Sequence, residues 1–339
     1  MSERWQYLIA VAFAFAFISV ADTPSYAKPK NACGGSSILE EIKADSPQAF
    51  AKLANSAAAT KNDGAIFWRI SREGVPDSYL YGTVHLTDPR VTDLAPQAVK
   101  AINSSRVVAL EVADVSPAAL AGALSKNPAM MMFSDGRRLD HLIAPEAFEI
   151  VKEQLEAARL PTAFAQNFKP WVVSMVMAVS ECERKRMESG QAVVDMKIAM
   201  MAADKGIPIV GLETIEAQIE AAASVPMEEQ VALLRSALSL ADRADDLRET
   251  LLELYLRRKF GLVLPLQRYL AEMNGIRDMD FSGFEEKLLQ KRNRRMRTYA
   301  LPLLAEGGVF IAVGALHLVG NEGLVELLRD AGYHVDPIL

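Results

Sequence analysis

Apolar positions along the chain mark a few short strands set among many helices. The segment "AIFWRISREGVPDSYLYGTVHL" reads as a β-hairpin, with a strand from Ile66 to Ser71, a Gly-Val-Pro-Asp turn, and a second strand from Ser78 to Val84. Three more runs, "RVVALEV" (106–112), "IPIVGLE" (207–213) and "GVFIAVGALH" (308–317), are continuous and rich in β-branched residues, as strands buried on both faces require. The closing "GYHVDPI" suits only a sheet edge, because Pro337 has no N–H to give a central ladder.

The stretches between these runs predict helices. A short one spans Pro47 to Ala59, and "PEAFEIVKEQLEAARL" carries Pro145 in its first turn. The Met- and Val-rich run from Trp171 to Met187 predicts one buried helix. Leu247, Leu251 and Leu254 form an apolar stripe that ends in a basic turn at Arg258. No strand signal appears from Pro226 to Met273, so a helical insertion of lid-like placement is expected between the two halves of the sheet. The expected fold class is α/β: a central, largely parallel or mixed sheet flanked by helices, with an N-terminal β-hairpin. One domain is expected over 64–339, with a helical subdomain at about 214–300 and an N-terminal extension at 28–63.

Residues 1–27 stand apart. Arg4, an apolar run from Tyr7 to Ala21 and the small-residue ending Ser25-Tyr26-Ala27 have the order of an export signal. The run is shorter than the ~20 apolar residues that span a bilayer. A periplasmic or secreted protein without stable membrane insertion is therefore expected, an uncleaved anchor being the alternative. Cys33 follows no lipobox, since Lys30 stands where an apolar residue is wanted. A net charge of −6 argues against nucleic-acid binding. The only two cysteines, Cys33 and Cys182, leave a disulfide and two free thiols equally open, and they exclude a Cys-rich zinc site.

Chemistry-bearing side chains fall at the ends of the strands. His85, Glu111, Glu213 and His317 each follow or close one of the four apolar runs, and the histidines sit in matching G-x-x-H-L segments beginning at Gly82 and Gly314. Open α/β sheets build their sites at the carboxyl ends of strands. If these four strands are parallel neighbours, two imidazoles and two carboxylates meet there, a ligand set suited to Zn²⁺, Mn²⁺ or Co²⁺. Each glycine would let the chain leave the sheet or let a group approach its backbone. "KRNRRMR" (291–297) reads for the most part as a solvated helix face, though successive arginines point in several directions and one or two could turn inward. His141 and His334, the other two of four histidines, have no matching context and read as structural.

These segments together resemble the TraB/GumN family, a group that includes the Tiki metalloproteases and, more distantly, erythromycin-esterase-like and ChaN-like proteins. The likeness rests on "YLYGTVHL", "VVALEV", "KPWVVSM", "IPIVGLETIEAQIE", "KRNRRM" and "FIAVGALHLVGNEGLVELLRDAGYHV", in that order. It implies an α/β fold and divalent-metal-dependent hydrolysis. It also implies His85, Glu111, Glu213 and His317 in one cleft, supported by Gln218 and by Arg292-Asn293 of the late helix. The expected function is an exported metal-dependent peptidase or amidase. His85 and His317 would hold the metal with one glutamate, the other would act as base, and Arg292 or Asn293 would steady the oxyanion. The substrate would be a peptide or small molecule, and a homo-oligomer is allowed. Two rivals stand beside this: a metal-free esterase-like hydrolase with His85 as base oriented by Glu111, and a non-catalytic ligand-binding or regulatory protein.

Overall fold

The computed structural model describes residues 33–114, 117–277 and 279–339. The expected export signal at 1–27 lies outside the described residues. The core is a six-stranded sheet in the order β4-β3-β5-β2-β1-β6, comprising β1 (Phe67–Arg72), β2 (Val75–Thr83), β3 (Val107–Val112), β4 (Ile209–Glu213), β5 (Val309–Gly314) and β6 (His334–Pro337). The four apolar strands β4, β3, β5 and β2 are parallel neighbours. Hairpin strand β1 is antiparallel to β2, and β6 closes the far edge antiparallel to β1, so the sheet is mixed.

β5 shows why these runs are continuous rather than alternating. Val309, Ile311 and Val313 pack on one face with Met296, Ala300 and Leu304 of helix Lys291–Glu306. Phe310 and Ala312 pack on the other with Ile102, Ile198, Ala202 and Leu252, from helices Pro96–Asn103, Val194–Asp204 and Ala244–Leu256. A strand covered on both faces has no position for a polar residue until it ends. The register then levels the carboxyl ends: Thr83 lies opposite Gly314, Leu110 opposite Ala312, and Val112 opposite Glu213.

The helices between β4 and β5 divide their packing. Met227–Ser239 joins Pro145–Ala157, Pro170–Met177 and Ile215–Ala223 around Leu155, Val173, Ile219 and Leu234. Ala244–Leu256 instead faces the sheet through Leu252, and it meets the N-terminal helices Ile38–Asp45 and Pro47–Ala58 through Leu254. Two expectations fail. Val75, Pro76 and Asp77 do not lie in the hairpin turn but open β2, with Val75 already paired to Arg72. The single helix expected from Trp171 to Met187 is two, Pro170–Met177 and Glu181–Glu188. Ser180 is extended (φ −61°, ψ 157°) and its hydroxyl accepts the Glu183 N–H at 3.3 Å, so a side-chain cap ends the apolar stretch and starts a new, charged helix. The cysteines, left open by sequence, are joined as Cys33–Cys182. Among the described residues, no helix is long and apolar enough to cross a membrane.

Candidate functional site

Because the four parallel strands end level, the residues just beyond them share one edge of the sheet. Glu111 is the next-to-last residue of β3, Glu213 closes β4, His85 follows β2 by two residues, and His317 ends the 3₁₀ turn Ala315–His317 after β5. The glycines serve close approach rather than a left-handed backbone. A Cβ on Gly82 would stand 3.1 Å from Ala315 Cα, Ala315 Cβ and Leu318 Cδ2, so the first G-x-x-H segment rests directly on the second. A Cβ on Gly314 would stand 3.2 Å from Glu111 Oε1, which instead accepts the Gly314 N–H at 2.7 Å.

Arg292 lies at the centre. Its Nη2 donates to Glu111 Oε2 at 2.7 Å, its Nε reaches the Glu213 oxygens at 3.1 and 3.2 Å, and its Nη1 donates to the Leu288 carbonyl at 3.3 Å. That inward aim follows a π-helical turn, Glu286–Gln290, in which the Lys291 N–H reaches back to Glu286 O. The extra residue in the turn rotates the helix that follows, and π turns recur at functional sites for this reason. Gln218 donates to Glu111 Oε2 at 2.9 Å. Asn293 accepts at Oδ1 from His317 Nδ1 (2.6 Å) and donates from Nδ2 to Glu322 O (2.7 Å). Arg292 and Asn293 thus spend their donors on this framework, Arg292 on carboxylates and a carbonyl, Asn293 on a carbonyl.

Two residues that sequence did not single out complete the site. Asp195, in the first turn of helix Val194–Asp204, brings Oδ2 to 2.9 Å from His85 Nδ1 and accepts the Thr83 hydroxyl at Oδ1, 2.7 Å. An acidic residue in a first helical turn is what the helix dipole favours anywhere, so Asp195 carried no distinguishing signal. Thr83 has only its position as the last residue of β2.

The four ionisable groups are driven in different directions. Burial pushes the Glu111 carboxyl up, but Arg292, the two histidines and the Gly314 N–H outweigh it and hold the group far below the usual carboxylate range. Burial raises Glu213, and Arg292 only partly opposes this. The Asp195 carboxylate beside Nδ1 raises His85 to about 9. Burial, then the Arg292 charge, lowers His317 to about 3. At neutral pH His85 is therefore an imidazolium and His317 a neutral imidazole.

Among the described residues, no group of three or more His, Cys, Asp or Glu side chains is arranged to hold a metal ion. The donor chemistry at this edge nevertheless fits one. Both imidazoles have Nδ1 against an oxygen, Asp195 Oδ2 for His85 and Asn293 Oδ1 for His317, which is how ligating histidines are oriented, with Nε2 turned away from that oxygen. His317 Nε2 lies 3.7 Å from Glu111 Oε1. His85 is close enough for its charge to act on both Glu111 and His317. Glu213, with its side chain fully buried, has both oxygens on Arg292.

The sequence profile of the TraB/PrgY/gumN family matches residues 66–337. The chain is 26% identical over 317 residues to metalloprotease TIKI1 of Danio rerio, an alignment covering 80% of this chain and 63% of that protein. It is 24% identical to metalloprotease TIKI2 of Xenopus tropicalis, over 80% of this chain and 59% of that one, and 24% identical to metalloprotease TIKI1 of Homo sapiens, over 80% and 61%. The chain spans about three-fifths of the length of these curated relatives. No solved structure matches it significantly.

Proposed function

The chain belongs to the TraB/PrgY/gumN family, and on that premise we propose that it is an exported, metal-dependent hydrolase of peptide or amide bonds. Its metal donors would be His85 Nε2, His317 Nε2 and Glu111 Oε1. The observation that carries this reading is the matched anchoring of the two histidines, each with Nδ1 on an oxygen and Nε2 left over. Relatives named metalloproteases support the reaction class, and the Cys33–Cys182 disulfide supports an oxidising compartment.

The protein's own groups have distinct tasks in this scheme. Asp195, steadied by Thr83, orients the His85 ring, and Asn293 fixes the tautomer of His317. Arg292 and Gln218 occupy Glu111 Oε2, which leaves Oε1 on the side of His317. Glu213 holds Arg292 rather than donating to a cation. A divalent cation held by these donors would supply Lewis-acid charge for the scissile carbonyl and the oxyanion that develops from it. Zinc, manganese and cobalt all suit two nitrogens and a carboxylate.

The test loads the purified chain with zinc, manganese and cobalt in turn, measures metal by elemental mass spectrometry beside His85→Ala and His317→Ala, and follows peptide cleavage with and without chelator. Near-stoichiometric metal that both substitutions abolish, with chelator-sensitive cleavage, is expected. No metal under any loading overturns the proposal. A second reading, a metal-free hydrolase, is favoured by one observation. The two imidazoles are held in opposite charge states, as in an acid–base pair, with His85 the proton donor at neutral pH. Cleavage that survives the chelator would select it.

A further inference from the structure

Two residues beyond His85 lies a buried ionic cluster that takes no part in the scheme above. We propose that Thr87, Glu183, Arg186 and Arg248 form a latch that positions His85, and that the Cys33–Cys182 disulfide keeps this latch closed. The proposal rests on His85 being a working residue of the site.

All three polar groups of Thr87 are held by one helix, Glu181–Glu188. Its N–H and hydroxyl both donate to Glu183 Oε2, at 3.0 and 2.6 Å. Arg186 donates from Nε to the Thr87 hydroxyl at 2.8 Å and from Nη2 to the Thr87 carbonyl at 2.9 Å. From helix Ala244–Leu256, Arg248 places Nη1 at 3.5 Å from both Asp88 Oδ2 and Glu183 Oε1. The side chains of Arg248 and Glu183 are only 3% and 4% exposed. Desolvating such charges costs what their mutual attraction returns, so an apolar cluster would stabilise the fold as well. What the polar version adds is direction, because a threonine held at N–H, hydroxyl and carbonyl cannot translate or turn. The His85 imidazole, more than half exposed, has no comparable packing of its own.

The disulfide enters through two neighbours. Cys182 precedes Glu183 on the same helix, and the Cys33 carbonyl accepts from Arg248 Nη2 at 3.5 Å. The bridge therefore joins both suppliers of the latch. Cys182 is partly exposed, so a dithiol can reach the bond. Reduction breaks the S–S bond with two electrons and two protons from the dithiol, which becomes its own disulfide and leaves thiols at Cys33 and Cys182.

The test uses the four histidines as reporters. Side-chain ¹H–¹⁵N correlation spectra are recorded on the metal-free full chain, with His85 assigned by its loss in His85→Ala. Thr87→Val removes the hydroxyl without changing the residue's shape, Thr87→Ser restores it, and the wild type is also compared before and after reduction. The expected result is that Thr87→Val and reduction each shift or broaden the His85 signals and speed exchange of its Nδ1 proton by at least about tenfold, with Thr87→Ser close to wild type and His317 unmoved. His85 signals unchanged in both arms would overturn the proposal. So would all four histidines moving together, which marks general loosening; should Thr87→Val fail to fold, the reduced wild type decides. Turnover and metal are not read, so failure of the hydrolase reading leaves this result standing.

Discussion

Replacing Arg292 with methionine removes the one charge between two buried carboxylates while keeping a long apolar stem. The guanidinium is largely buried, Glu111 is 13% exposed, and Glu213 is fully buried. Removing one partner of a buried pair costs about 3–5 kcal/mol, because the other charge is left uncompensated. Here two are left, and proton uptake caps the penalty. In the variant both carboxyls would titrate above their unfolded values, so the folded state binds more protons than the unfolded, and stability falls as pH rises. In the wild type Glu111 does the opposite. Its depressed group contributes stability that is present above the ordinary carboxylate range and lost on acidification. The two proteins should therefore converge as pH falls. Urea unfolding followed by circular dichroism should show Arg292→Met less stable by about 3–5 kcal/mol near pH 7.5, with a deficit smaller by at least about 1 kcal/mol near pH 5. Adding Glu213→Gln should recover part of the loss, since it removes one orphaned charge. A deficit under about 1 kcal/mol at both pH values, or one that grows on acidification, would refute the central place given to this ion cluster.

Further outcomes follow from other contacts. In Asp195→Asn the His85 titration followed by NMR should fall from about 9 toward the ordinary histidine range, because the carboxylate beside Nδ1 is the main cause of the rise; an unchanged midpoint would show that something else holds the proton. Apparent metal affinity should rise with pH up to about 9, since His85 must give up a proton to become a donor. Calorimetry in two buffers of different ionisation enthalpy should reveal that proton release, and a flat affinity would count against His85 as a ligand. Gly82→Ala should destabilise by about 1–3 kcal/mol through overpacking against Ala315 and Leu318. Pairing it with Ala315→Gly should return part of that loss, and thermal melts of the single and double variants check both expectations.

Strands β3 and β5 were legible because each is buried on both faces along most of its length, which leaves a continuous apolar run in the sequence. The level ends of the parallel strands were not readable, since register depends on pairings such as Thr83 with Gly314 that no local pattern encodes. Residue type flagged His85, Glu111, Glu213 and His317 as able to act together, yet it said nothing of which atoms face which. That depends on the π turn before Arg292, which turns a basic run partly inward, and on Asp195, whose position at a helix start looks ordinary. The break at Ser180 was missed for a related reason. A serine sits within a helix as readily as it caps one, so Ser180 by itself marked no boundary between Trp171 and Met187.

The N-terminal helices have a practical consequence for how this protein can be divided. The stretch shared with the family begins at residue 66, but Ile38, Leu39, Ile42, Leu53 and Ala57 cover Leu254, Leu262 and Leu266, and the Ile38 N–H is held by Thr250. A fragment expressed from the family boundary would expose that apolar surface and leave Cys182 without its partner. In this chain the unit that evolution shares and the unit that needs to fold have different borders, so cloning, limited proteolysis and domain grafting should follow the second.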